Sequence, residues 1–247
     1  MKNTFRIVSR IVRATPRREG PAIVYRPLPS DELAFLDPFL AIGEFRMPGS
    51  EGGFGFHPHS GVEFITYQLG GQLQHQYPQG ANLILNGGEA MHLMAGRYME
   101  HNETAIGKEE SHGIQLWVDL PKAHKLDVPA HLKADNETIP VQTKNGVTIR
   151  TIVSADGPLK LHTPAIYIDV AMDVGTQFQY DIPGSWNAMI LVLEGNAQFG
   201  SNQKTAAQNE LLILENGNLT EVNSIETVRF LLLAGQPLNE GGRGMFG

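Results

Sequence analysis

Residues 56–60 read FHPHS, which sets His57 and His59 two positions apart. In extended chain, side chains at i and i+2 leave the same face, so both imidazoles can approach one ion. Residues 99–104 read MEHNET and repeat that spacing with His101 and Glu103. Brought onto neighbouring strands or turns of one barrel, the two pairs would supply three neutral imidazoles and one carboxylate. That set suits Fe, Mn, Ni, Cu or Zn. With positions left free it suits redox or Lewis-acid chemistry, whereas structural zinc usually has a closed shell rich in thiolate. Glu63 competes for the carboxylate role, because it follows His59 by four residues and shares its parity. At about 3.3 Å per residue a straight strand carries it about 13 Å away, which favours Glu103 unless Gly61 bends the chain sharply.

The other histidines, His75, His92, His112, His124, His131 and His162, have no comparable carboxylate at this spacing and read as surface or core residues. Tyr67, Trp117 and Trp186 fall in apolar strand patterns where packing is the usual role, although Trp117 serves equally as a pocket wall. Gly52, Gly53 and Gly55 precede the histidine pair without opening a helix, and let backbone bend close to it. The chain has no G-x-S-x-G nucleophile elbow, no phosphate loop and no dinucleotide fingerprint.

The elements that must position these residues are strands. Short β-rich runs occur at Val62 to Leu69, Gly113 to Val118, Val147 to Val153, Ala165 to Val170, Met189 to Leu193 and Val228 to Leu233, each bounded by Gly, Pro, Asn or Asp. Such a series, without alternating long amphipathic helices, predicts an all-β chain of sandwiches or barrels. A short helical turn is expected near Ser30 to Leu36. At 247 residues the chain can hold two barrels of about 100 to 120 residues. The polar segment Pro121 to Pro140 separates two β-rich halves and reads as their connection, with the boundary near residue 130, giving domains 1–130 and 131–247. FITYQLGG at 64–71 and AMILVLEG at 188–195 resemble each other, as a duplicated domain would require.

Composition narrows the chemistry. A formal net charge of -7 argues against a phosphate-neutralising surface, so no direct nucleic-acid partner is expected. With no Cys, any metal must be held by N and O donors. No run approaches the roughly 20 apolar residues of a membrane-spanning helix, and no secretory signal opens the chain, so no membrane partner and a cytoplasmic location are expected. The basic, acid-free first 18 residues could be a transit peptide, but Phe5 to Val12 alternates as a strand does. The Gly-rich tail from Gly241 reads as a frayed end, and a monomer is expected.

These residues resemble the cupin superfamily and, within it, the pirin family. His57, His59, Glu63 and Gly70 match the general cupin pattern HxH(x)3E(x)6G, although the upstream Gly is displaced and Met94 stands where the second cupin motif often has Pro. The pirin resemblance runs from LDPF at 36–39 through HPH and ITY to AGR at 95–97, then HGIQLWVDLP at 112–121 and WNAMILVLEG at 186–195. It implies a bicupin of two antiparallel barrels packed face to face, with mononuclear Fe(II) held by His57, His59, His101 and Glu103. It also implies a C-terminal cupin-like domain lacking metal ligands, since the matching positions fall on Asp181 and Pro183, or on Ile182 and Gly184. Pirins include quercetin 2,3-dioxygenases, so the resemblance implies an O2-using oxidoreductase acting on a flavonol-like substrate, with Glu103 as the group that takes the substrate proton. The alternative it implies is an iron-dependent redox-sensing regulator acting through a protein partner. Ser60 stands where pirins commonly have Arg, Tyr98 where they commonly have Gly, and PLNE is soon followed by Gly247 where relatives often continue into a helix. Arg97 is expected to orient the loop that carries His101.

Overall fold

A computed structural model describes residues 3–49, 52–78, 80 and 82–241. The regular structure of the described chain is almost entirely antiparallel strand, and its one short helix is a 3-10 turn at Lys122–His124. The chain divides into two compact units, and their make-up differs from a cut at residue 130: among the described residues, 3–14 belong with the C-terminal half, and 131–138, 161–163 and 238–241 belong with the N-terminal half.

The unit with the histidine pairs has a seven-stranded and a four-stranded sheet. In the larger sheet the order is Ala130–Ala134, Ala90–Met94, Val62–Gly70, Ser111–Asp119, Phe39–Met47, Ala22–Leu28, Pro16–Glu19. In the smaller it is His57–His59, Met99–Ile106, Gln72–Gln76, Asn82–Asn86. The other unit repeats this plan: Ile7–Arg13, Glu210–Glu215, Asn187–Glu194, Val228–Gly235, Ala165–Met172, Val147–Val153, Val141–Lys144, then a smaller sheet of Gln177–Asp181, Leu219–Ser224, Asn196–Phe199, Lys204–Ala207.

The matching order explains why residue 130 is not the divide. Ala130–Ala134 pairs with Ala90–Met94 as an edge strand, and Ile7–Arg13 pairs with Glu210–Glu215 in the equivalent position. Pairing satisfies a backbone ladder that an exposed edge would leave open, so each edge joins the sheet it completes. Most of the segment Pro121 to Pro140, up to Thr138, is accordingly structured within one unit, as a 3-10 turn and this strand, and the chain passes to the other unit at Ile139. The basic N-terminal segment forms the expected strand.

The two sequences that resemble each other lie on strands third in each order, Val62–Gly70 and Asn187–Glu194. Each ends at a glycine, Gly71 with φ of 62° and Gly195 with φ of 71°. A Cβ at Gly71 would strike the Glu110 carbonyl, and one at Gly195 the Thr227 carbonyl. Both the left-handed backbone and the close approach demand glycine. The helical turn expected near Ser30 is absent: Ser30 and Leu33 exchange backbone hydrogen bonds, as do Leu36 and Phe39. Gly241 is described, whereas the tail beyond it lies outside the described residues.

Alternation sets each core. In the N-terminal unit Val62, Phe64, Leu73, Leu85, Met91 and Leu93 pack together, each full burial contributing about 1.5–3 kcal/mol. In the C-terminal unit Phe178, Ile190, Phe199, Leu212 and Phe230 do the same, with the half-buried Trp186 against them.

Candidate metal centre

The strand His57–His59 runs antiparallel to Met99–Ile106, with His57 opposite His101 and His59 opposite Met99. Along the second strand, Met99, His101, Glu103 and Ala105 are buried while the residues between them are half-buried. Period two therefore sends both histidine pairs to one interior face. One donor atom from each of His57, His59 and His101 lies within 4.8 Å of the other two, and the Nε2 atoms of His59 and His101 are 3.1 Å apart. His57 Nδ1 lies 2.8 Å from the Gly55 carbonyl oxygen. A carbonyl only accepts, so Nδ1 carries a proton, and with the ring in its neutral form Nε2 has a lone pair to offer a metal.

Glu103 is buried and reaches the trio through His101, with one donor atom each of His75, His101 and Glu103 also within 4.8 Å of one another. Its oxygens accept from the Gln115 side-chain amide at 2.9 and 3.1 Å. Trp117 Nε1 donates to the other end of that amide at 2.7 Å. Indole is a donor only, so it takes the Gln115 oxygen and leaves the NH2 for Glu103. The nearby glycines serve the same strand: Phe54 N–H donates to the Glu103 carbonyl at 3.0 Å, and a Cβ at Gly53 would meet that carbonyl.

Electrostatics favours metal-ready side chains. Burial, then the neighbouring His57, holds the His59 pKa down to about 4. Burial and the rings of His75, His57 and His59 hold His101 down to about 2. Both are neutral donors at neutral pH. Burial pushes the Glu103 carboxyl up to about 7, against the downward pull of Gln115 and Thr66. The donor set, three imidazoles and a carboxylate, fits a divalent ion of borderline character. Two ring nitrogens facing each other at 3.1 Å and a buried His101 Nδ1 with no hydrogen-bond partner mark an interior built around another group.

His75 is the neighbour that sequence reading set aside. It is fully buried, neither ring nitrogen makes a hydrogen bond, and its Nε2 lies 3.4 Å from Glu103 Oε1. It sits opposite Glu103 in the strand register, a relation between strands that no local spacing reveals. Glu63 points away from the trio. Its neighbour Phe64 packs on His59 and His101, whereas the Glu63 carboxylate binds His92 Nε2 at 3.0 Å and His162 Nδ1 at 2.7 Å. The grouping of lone histidines as unpaired is corrected more widely: His112 meets Glu44 at 2.9 Å and His124 meets Asp127 at 2.8 Å, while His131 stacks on Tyr77. The Arg97 side chain is exposed, and its backbone N–H donates to the Asp127 carbonyl at 3.0 Å. The main chain ties that loop down. Ser60 and Tyr98 are exposed, and the Tyr98 hydroxyl donates to Glu100 at 2.7 Å.

His57, His59 and Glu103 open into a cavity of about 410 Å³, walled by Val24, Ala41, Phe45, Phe54 and Trp117. Trp117 is thus a wall as well as a core contact. Arg26 and Glu19 also line the cavity, paired at 2.7 Å.

Two antiparallel units of one topology, one of them lined by imidazoles and a carboxylate, define a protein of the cupin class. The Pirin family model matches residues 23–118 and the Pirin C-terminal cupin domain model matches residues 167–242. A Pirin-like protein of Solanum lycopersicum is 34% identical over 244 residues, covering 95% of this chain and 83% of that protein. Pirin of Mus musculus is 33% identical over 228 residues, covering 89% and 78%. The crystal structure of a quercetin 2,3-dioxygenase from Acinetobacter baumannii superposes with a TM-score of 0.90 at 25% identity, covering 98% of this chain and 91% of that one. The chain belongs to the pirin family.

Proposed function

We propose that this pirin is a mononuclear iron protein acting as a dioxygenase of the quercetin 2,3-dioxygenase type on a flavonol-like substrate. The observation that carries the reading is the opening of His57, His59 and Glu103 into a largely apolar, aromatic-walled cavity of a size that holds a small molecule. The likeness to the Acinetobacter enzyme supports it. His57, His59, His101 and Glu103 would hold the ion, with Fe(II) preferred and Mn, Ni, Cu or Zn accepted by the same donors. Iron, when bound, would supply Lewis acidity toward an enol oxygen and electron exchange with O2.

The side chains account for the rest. The Gly55 carbonyl fixes the His57 tautomer, and Gln115 fixes the Glu103 carboxylate within a chain of hydrogen bonds that ends at Trp117. Phe54, Phe45 and Trp117 offer faces for a planar ring and exclude water from it. Glu103, as the carboxylate of the set, would be the group that takes the proton of a substrate hydroxyl.

The test is anaerobic metal analysis followed by oxygen uptake with and without quercetin. Near one iron per chain with quercetin-dependent O2 consumption supports the enzyme. Iron without uptake on quercetin or related enols overturns the dioxygenase reading in favour of a redox-sensing regulator, whose partner affinity would differ between Fe(II) and Fe(III).

A further inference from the structure

The strand Val62–Gly70 presents a second cluster on the face opposite the metal centre. Phe64 faces the histidine trio, so by strand parity Glu63 faces away from it. Glu63 is fully buried and accepts three donors: His92 Nε2 at 3.0 Å, His162 Nδ1 at 2.7 Å and the His162 backbone N–H at 3.1 and 3.2 Å from its two oxygens. Next to it the 3-10 turn Lys122–His124 brings His124 Nδ1 to within 2.8 Å of Asp127 Oδ2, a turn closed by the Asp127 N–H on the His124 carbonyl at 3.0 Å. The His124 and His162 rings lie 4.5 Å apart. One donor atom from each of His124, Asp127 and His162 falls within 4.8 Å of the other two.

The arrangement follows from the tautomers. A carboxylate only accepts, so each Nδ1 carries a proton, and with the ring in its neutral form each Nε2 has a lone pair to offer a metal. A metal-ligating histidine almost always donates its other N–H to a carboxylate or carbonyl, which fixes the ring and raises its basicity. Here two adjacent imidazoles each have that orienting carboxylate. The nearby cation is engaged elsewhere, since Lys125 Nζ binds Asp119 at 2.5 Å and the Gly61 carbonyl at 3.1 Å. We propose that His124 and His162 form a second site, binding a divalent transition-metal ion of the zinc type through Nε2, with Asp127 and Glu63 orienting the two rings and water completing the shell. Imidazole nitrogen suits Zn, Cu and Ni rather than Mg or Ca. Such an ion would pin the segment Leu161–Thr163 to the Lys122–Asp127 turn within one unit.

The deciding experiment is a zinc titration of the metal-stripped full chain, read by calorimetry and by equilibrium dialysis. His124→Ala should lower the zinc bound per chain by one equivalent and leave the remainder intact. This histidine side chain is 42% exposed, so its removal does not threaten the fold. Asp127→Asn should keep the stoichiometry and weaken that equivalent about 10- to 100-fold, the usual effect of losing an orienting partner. In wild type, zinc should shift the ring-nitrogen NMR resonances of both His124 and His162. The same count and affinity in wild type and His124→Ala, or zinc that leaves both ring resonances unmoved, overturns the proposal. Neither readout depends on iron or turnover at His57, His59 and His101, so failure of the dioxygenase reading would leave this one standing.

Discussion

The two units share one topology but fill equivalent interiors with opposite chemistry. In the smaller N-terminal sheet the central strand carries His101 and Glu103 between His57 and His59 on one side and His75 on the other. In the smaller C-terminal sheet the equivalent strand carries Val222 between Phe178 on one side and Phe199 on the other, and Phe178 and Phe199 both pack on Phe230. Sheet order, edge strands and turn glycines are the same in both. The scaffold therefore does not require the polar interior, which carries a cost: each buried polar group without a partner forfeits about 1–3 kcal/mol. An interior kept polar at that cost is one matched to a ligand, whereas the aromatic interior stabilises by burial alone.

The sharpest break in this comparison comes from exchanging the two kinds of loss. If the proposed iron centre holds, His101→Ala removes the imidazole that belongs to both donor groups, so iron retained after desalting should fall by more than the 10- to 100-fold typical of losing an outer partner. Metal analysis of wild type and variant checks this, and equal iron would remove His101 from the centre. Phe230→Ala should do the reverse. It should cost about 3–5 kcal/mol in urea unfolding, as large aromatic truncations do, with iron content per folded chain unchanged. A Phe230 variant that loses iron would show that the aromatic interior supports the centre.

The extent to which this division could be read from sequence depends on how far each relation reaches along the chain. Period two is local, so His57 with His59 and His101 with Glu103 stood out, as did the strands that carry them. The repeat of FITYQLGG and AMILVLEG was visible because both end at a glycine that the turn requires. Partners set by strand pairing were not visible. Glu44 lies 68 residues from His112, and Glu63 lies 99 residues from His162. No spacing links them, so these histidines looked unaccompanied and Glu63 looked like a rival ligand. The compact units differ from a division at residue 130 for the same reason, because the edge strands Ile7–Arg13 and Ala130–Ala134 are recruited by pairing rather than by order in the chain.

A finer test concerns how the polar interior is held. Gln115→Leu keeps the volume of the side chain roughly constant but removes both hydrogen bonds to Glu103 and the acceptor for Trp117 Nε1. Iron affinity should fall about 10- to 100-fold with the three histidines intact, measured by competition with a chelator. Unchanged affinity would mean that Glu103 needs no orienting partner.

The smallest expected effect lies where the two units agree. Glu44 reaches diagonally across its strand pair to His112 at 2.9 Å, and in the equivalent place Asp169 reaches Arg229 at 2.7 and 3.1 Å. Both carboxylates are buried, so each needs its partner. Burial alone would raise the Glu44 carboxyl, but His112 and Arg46 together hold it below the ordinary carboxylate value of 4.5. A depressed pKa means that the unfolded chain binds the proton first as pH falls. The stability this group adds is therefore complete above about pH 4.5 and is lost as pH drops through the folded value. Glu44→Gln should cost about 1 kcal/mol at pH 7, near the net worth of such a hydrogen bond. In urea unfolding the gap between wild type and variant should close on acidification below pH 4.5. A gap that stays constant with pH would assign the cost to packing rather than to the charge on Glu44.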